Sequence, residues 1–230
     1  MFCAIAAEAG DLEVLVNLSQ MTVSQMTATS ASESQQQRLH WLAEHVMAWS
    51  GLPVVQVRPT IFLDNPLFTL LPRESLSRRG VLALPIGTGR TSPVAATDVA
   101  RVVATVLREP SAHLGHVYEL TGPEALDLDG LAAAFGRALH RPVTGVDLPQ
   151  EVLAEQLPQV PGIAPHVVQH ILTVAELHRA NRYDRITTDV QDVTGHPAES
   201  VEQFVAEHAG WFGGLAAGRP APSPSEENPS

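Results

Sequence analysis

Glu13-Val-Leu-Val-Asn-Leu-Ser19 and Val54-Val-Gln-Val-Arg58, the second closed by Pro59, frame a long stretch with helical spacing. In the first run apolar residues are nearly continuous rather than alternating, the pattern of a strand buried on both faces. Between the runs Leu39, Leu42, Val46 and Trp49 recur at i, i+3, i+7 and i+10, which predicts a helix to about Ser50, stopped by Gly51 and Pro53. Ser32, with Gln35 three residues on, has the spacing of a capping box at its start. Strand, helix, strand is a βαβ unit, whose crossover is right-handed and whose strands are parallel.

Further elements follow from the same patterns. A helix is expected from Pro66 to Ser77, a strand at Val81-Leu-Ala-Leu-Pro85, and a turn at Gly87-Thr-Gly89. Thr97 stands where it would cap a helix from Asp98 to Arg108. Val99, Val102, Val103, Val106 and Leu107 cover much of that helix's circumference, so it is expected to be well buried. Val117-Tyr-Glu-Leu120 is a further strand, closed by Gly122-Pro123. Helical patterns then dominate, over residues 129–139, 150–157, 163–178 and 199–212. From Gly213 onward Gly, Pro, Ser and Glu prevail, which predicts a disordered tail over 213–230.

Hydrophobic residues make up 44% of the 230 and charged ones 17%, enough for a packed core. Fourteen Lys and Arg against 25 Asp and Glu give a net charge of −11. Such a surface repels phosphate backbones and anionic lipid, so neither nucleic acid nor membrane is expected as a partner. Cys3 is the one cysteine, no apolar run approaches the roughly 20 residues of a bilayer span, and Met1 to Gly10 has no basic n-region. These features lead to the expectation of a cytoplasmic protein.

Several stretches, in order, resemble the NmrA-like family of atypical short-chain dehydrogenases. They are Asn17-Leu-Ser-Gln-Met-Thr22, Trp49-Ser-Gly-Leu-Pro-Val-Val-Gln-Val-Arg-Pro-Thr60 and Phe62-Leu-Asp-Asn65, then Gly89-Arg-Thr-Ser-Pro-Val-Ala-Ala-Thr-Asp-Val-Ala100, Tyr118-Glu-Leu-Thr-Gly-Pro123 and Thr194-Gly195. The resemblance covers roughly residues 5 to 212. It implies an α/β fold: the C-terminal part of a Rossmann-type parallel sheet of about three strands, with a mostly helical C-terminal lobe. The expected division is a partial NAD(P)-binding domain over 1–123, a helical substrate-side lobe over 124–212 and the tail. The Gly-x-x-Gly-x-x-Gly loop that holds the cofactor's pyrophosphate in this family is absent from the 230 residues. The expectation is therefore an N-terminally truncated member, short of four strands and on the order of 100 residues.

Ligands of open α/β folds bind at the carboxyl ends of the strands, where loops diverge. The resemblance places NAD or NADP along that edge, against Ser19, Gln20, Met21, Pro59, Thr60, Ile61 and Phe62, with Asn65 and Tyr183 lining a substrate pocket. Pro59 and Phe62 would equally shape and pack a loop. His40 and Glu44 share a helix face at i and i+4, in the region where ordinary short-chain dehydrogenases carry Tyr-x-x-x-Lys. Histidine can act as acid or base near neutral pH with a carboxylate orienting it, so the pair is the catalytic candidate; a half-exposed helix pair is the plainer account. His166 and His170, also four apart, lack the glutamate of a zinc protease motif, so no metal is expected, and with His178 they would flank a stripe of Ile163, Val167, Ile171 and Val174. Arg182 to Arg185 would rim the substrate side or form a solvated turn.

Two functions remain open at this point. One is an NAD(P)H-dependent reductase of quinone-, azo- or similar electron acceptors. The other is a non-catalytic module that senses dinucleotide or redox state. Without the strands before it, Val14 to Leu18 would form an exposed apolar edge through which chains self-associate.

Overall fold

The computed structural model describes residues 10–31, 33–160 and 162–213. Three parallel strands form the main sheet in the order β1-β2-β4: β1 (Leu15–Leu18), β2 (Val54–Pro59) and β4 (Val117–Leu120). Their register sets Leu15 against Val54 and Gln56 against Val117. Helix α1 (Gln35–Trp49) makes the crossover from β1 to β2. The expected βαβ unit and its parallel sense are present. The α/β class and the Rossmann-like sheet stand with it.

The capping box of α1 is formed by Ser34 and Gln37, two residues beyond the expected pair; Ser32 lies outside the described residues. Ser34 Oγ accepts from the Gln37 amide at 3.3 Å and the Gln37 side chain accepts from the Ser34 amide at 2.9 Å. The apolar stripe of α1 faces outward: Leu39, Leu42 and Val46 are at least half exposed and Trp49 is 79% exposed. The buried positions are Gln37 and Glu44, with His40 half-buried beside them. A helix normally turns its apolar side to the core; here the inward face is polar, because it builds the wall of a cavity.

The segment expected as one helix from Pro66 to Ser77 is two short ones, α2 (Pro66–Thr69) and α3 (Arg73–Arg79), divided before Pro72. Proline has no amide hydrogen to donate and disfavours helix at the residue before it. Helix α4 (Ala96–Arg108) begins two residues earlier than expected, and Ala95, which makes no side-chain cap, takes the place assigned to Thr97. Its Val99, Val102 and Val106 pack against Val55, Val57 and Leu120 of the sheet, but Leu107 is 53% exposed, so the helix buries one face and not most of its circumference as expected.

A strand appears where helices alone are expected. β5 (Thr144–Asp147) pairs in parallel with β3 (Val81–Leu84), Val81 opposite Thr144. Helices α5 (Leu128–Leu139), α6 (Gln150–Gln156), α7 (Pro165–Arg179), α8 (Asp189–Thr194) and α9 (Val201–Glu207) complete the C-terminal half. This pairing crosses the division expected near residue 123, and so does the core. Leu82, Leu84 and Ile86 share one cluster with Leu131, Phe135, Phe204 and Phe212. The Phe135 and Phe212 rings meet edge-on, 5.2 Å between centroids. Beyond Gly213 the expected tail lies outside the described residues. Among the described residues no helix is long and apolar enough to cross a membrane.

Candidate functional site

Parallel strands end together, so the residues just past β1 and β2 are neighbours. Ser19 follows β1 with its amide bonded to the Val57 carbonyl at 2.8 Å, and Thr60 follows β2 with its amide bonded to Leu120 at 2.9 Å. Beside them opens a cavity of about 290 Å³. Leu18, Ser19 and Gln20 form one side, and Pro59, Thr60, Ile61 and Phe62 the next. Gln36 and His40 of α1 face His170 and Val174 of α7, with Asn65 and Tyr183 closing the wall.

Three polar atoms on the strand side are buried with no partner among the described residues: Ser19 Oγ, Gln20 Nε2 and Thr60 Oγ1. Buried polar groups are nearly always hydrogen-bonded, and leaving one unmade costs about 1–3 kcal/mol. All three belong to residues that line the cavity, where a polar ligand would supply the missing partners.

Of the residues the sequence proposed, Ser19, Gln20, Pro59, Thr60, Ile61, Phe62, Asn65, Tyr183 and His40 line this cavity. Met21 does not: it is fully buried at the start of a 3-10 turn, Met21–Gln25. Glu44 does not either. Its carboxylate takes two bonds from Arg58 Nε, at 3.0 and 3.2 Å, and a third from the terminal nitrogen at 2.5 Å. Glu44 thus acts on His40 only through its field, which partly offsets the lowering of the imidazole pKa by burial. Among the described residues the His40 ring has no hydrogen-bond partner.

Tyr183 is held on three sides. Its backbone bridges Thr91, its ring stacks on His178 with centroids 4.1 Å apart, and its hydroxyl faces the Thr22 side chain. Burial holds the phenol well above its usual pKa, so it stays neutral. A fully buried Gln37 donates to Thr22 Oγ1 at 2.9 Å. Through Gln37 and Ser34 the network reaches His170, whose Nδ1 lies 2.9 Å from Ser34 Oγ. The cluster from Arg182 to Arg185 is no solvated turn: Arg182 bonds Gln25, Arg185 pairs with Glu119, and Asp184 with Arg90.

His170, Ser34 and Gln37 are the residues sequence reading missed. His170 appears there only as one of three histidines beside a core stripe, whereas the structure separates them: His170 on the cavity wall, His178 wholly buried. No group of three or more metal-ligating side chains occurs among the described residues. The glycine turn is explained by packing, since a Cβ on Gly89 would stand 1.8 Å from the His178 carbonyl oxygen.

No model of a known protein family matches the chain. Against individual proteins it is 31% identical over 213 residues to a (4-alkanoyl-5-oxo-2,5-dihydrofuran-3-yl)methyl phosphate reductase of Streptomyces griseus subsp. griseus, covering 91% of this chain and 71% of the relative. An NAD(P)H azoreductase of Xenophilus azovorans is 30% identical over 186 residues, 80% of this chain and 63% of that one. Among solved structures, the negative transcriptional regulator NmrA in complex with NAD superposes with a TM-score of 0.68 at 20% identity, over 89% of this chain and 67% of that one. The chain belongs to the NmrA-like family of atypical short-chain dehydrogenases. An NADPH-dependent quinone oxidoreductase from Escherichia coli, complexed with NADPH, shares the fold with a TM-score of 0.72 at 23% identity, covering 89% of this chain and 69% of that one. The family is thus one of NAD(P)-binding reductases acting on small molecules, and the comparisons favour that reading over a non-catalytic sensing module. This NmrA-like chain spans about two thirds of the length of the relatives it matches.

The residues present fit the nicotinamide end of such a cofactor. Ser19 Oγ, Thr60 Oγ1 and Gln20 Nε2 offer the hydroxyl and amide groups that a carboxamide or a ribose hydroxyl would satisfy.

Proposed function

We propose that this cavity is where a small electron acceptor, of quinone, azo or conjugated carbonyl type, is reduced by NADH or NADPH. The observation that carries this reading is the set of three buried, unpartnered polar atoms at the carboxyl ends of β1 and β2. The bound nicotinamide would supply the hydride. The chain's own part is to bind and orient. Ser19, Gln20, Pro59, Thr60, Ile61 and Phe62 would hold the cofactor side, and Asn65 and Tyr183 the acceptor side. His40 meets the negative charge that reduction leaves on the acceptor and holds the proton that neutralises it. Glu44, tied to Arg58, keeps the helix face in place rather than taking that proton. The net charge of −11 supports a small molecule, not a nucleic acid, as the partner, and the single cysteine supports a reducing, cytoplasmic setting.

No glycine-rich loop lies within the 230 residues, so they are expected to bind NADPH weakly on their own, with a Kd above about 100 μM, a loss of two decades or about 2.7 kcal/mol against a micromolar site. The test is NADPH oxidation with a quinone and an azo dye at millimolar NADPH. The rate should rise linearly with cofactor and fall to the blank in Thr60→Glu. A wild-type rate equal to the blank for every acceptor rejects the reading.

A further inference from the structure

Among the described residues the cavity wall contains no carboxylate. In a chain with 25 acidic residues against 14 basic ones, every side chain on this wall is neutral or basic. Glu44, the acid whose field reaches His40, is bound to Arg58, which also lies 3.7 Å from Glu119. Near neutral pH the charge that the described residues of this wall can gain is therefore positive, on His40 of α1 or His170 of α7.

His170 is set up as a donor. Ser34 Oγ already accepts from the Gln37 amide, and among the described residues the acceptor its hydrogen reaches is the Nδ1 of His170 at 2.9 Å. Nδ1 then accepts, and the ring's proton sits on Nε2. That Nε2 has no partner among the described residues. The capping box that starts α1 thus also fixes the tautomer of a cavity histidine on another helix. Gln36, in the first turn of α1, lines the same wall, at the end where the helix dipole is positive.

We propose that the acceptor reduced at this site carries an anionic oxygen group, a carboxylate or a phosphate, bound by Nε2–H of His170 with His40 alongside. The inference rests on the reductase reading for the word acceptor, though not for the binding itself. The free histidines are poor cations: burial lowers both pKa values, and the field of His40 lowers that of His170 further. Glu44 on α1 is the one group that opposes this, and Tyr183 is neutral. An anion removes part of the burial penalty and sits between the two rings. Each imidazole is then easier to protonate, so binding strengthens as pH falls through the raised, bound values and weakens as it rises above them.

Benzoate, phenyl phosphate and neutral benzamide are the probes, titrated into the full chain at pH 5.5 and 7.5. Benzoate keeps its charge across this range, so its pH dependence belongs to the protein. Benzoate or phenyl phosphate should bind at least about tenfold tighter than benzamide at pH 5.5, and benzoate about tenfold tighter there than at pH 7.5, as one unit of pKa shift gives. The tighter of the two anions tells carboxylate from phosphate. In His170→Gln the preference over benzamide should vanish. In the unaltered protein, proton NMR should show the His170 ring titrating at higher pH with benzoate present, which needs no variant to fold. Equal binding of benzoate and benzamide, or an unmoved His170 titration, overturns the proposal while leaving reduction of a neutral quinone untouched. Anion preference without NADPH oxidation would keep this site and reject the reductase reading instead.

Discussion

His178 shows how one buried side chain links the site to the stability of the whole. Its Nδ1–H donates to the Val174 carbonyl at 2.8 Å, and its Nε2 accepts from Thr91 Oγ1 at 3.3 Å. The neutral ring satisfies both nitrogens, and burial with no counter-charge disfavours the charged one. Burial lowers its pKa from 6.5 to about 4. Between those values the unfolded chain binds a proton that the folded chain refuses. Stability is complete above pH 6.5 and is lost as pH falls towards 4, by about 3 kcal/mol for this residue. Urea midpoints at pH 7.5 and 4.5 should therefore drop more steeply in the native protein than in His178→Gln, which has no ring to protonate. Parallel slopes in the two proteins would remove His178 from the explanation. Because Tyr183 stacks on this ring, the loss should also loosen the cavity wall.

At the scale of elements, α1 and β5 show what sequence could and could not reveal. The spacing of Leu39, Leu42, Val46 and Trp49 locates α1 correctly, but the stripe it identifies lies outside. Periodicity reports that a helix has two faces; it does not say which one the fold uses. Here the inward face carries Gln37, His40 and Glu44, each with a task in the cavity or beneath it. Local rules fail at such places because the site, not the core, selects the residues. β5 was hidden for another reason: Thr144-Gly-Val-Asp147 has a single apolar residue, and only pairing with β3 makes it a strand. The strand ends at Ser19 and Pro59 were legible, since continuous apolar runs closed by a polar residue or a proline mark where a parallel strand stops. The network from Tyr183 to His170 was not, because it joins residues more than a hundred positions apart.

Helix α5 offers an element-scale test. It ends on His140, an exposed residue at φ +52°, left-handed backbone that a side chain with a Cβ adopts at a cost. Glycine is the usual residue at this point of a helix. His140→Gly should stabilise the protein by about 0.5–1 kcal/mol, the balance of relieved strain and a more flexible unfolded chain. Thermal unfolding at pH 7.5 reads this directly, and a lower Tm in the variant would show that the His140 side chain contributes something its exposure does not reveal.

The last prediction belongs to the whole molecule. Among the described residues β1 has one strand neighbour, β2. The amides of Leu15 and Ser19 point towards β2, so strand alternation turns those of Val16 and Leu18 the other way. Leu18 is 46% exposed and Val16 half-buried, which makes this an apolar edge with open donors and acceptors. Such edges recruit further strands. A second copy related by a two-fold axis would meet β1 antiparallel and join two three-stranded sheets into one of six. We therefore expect the 230-residue chain to self-associate through β1. Its net charge of −11 opposes this, so association should strengthen with salt as repulsion is screened. Leu18→Pro removes a donor from the open side while leaving the ladder to β2 intact, and should shift the light-scattering mass towards monomer. The exposed apolar face of α1 is the competing surface: if Leu42→Glu gives monomers and Leu18→Pro does not, the chains meet there instead. A native monomer at all concentrations, with slow hydrogen exchange at Val16 and Leu18, would mean that the strand is covered from within the chain.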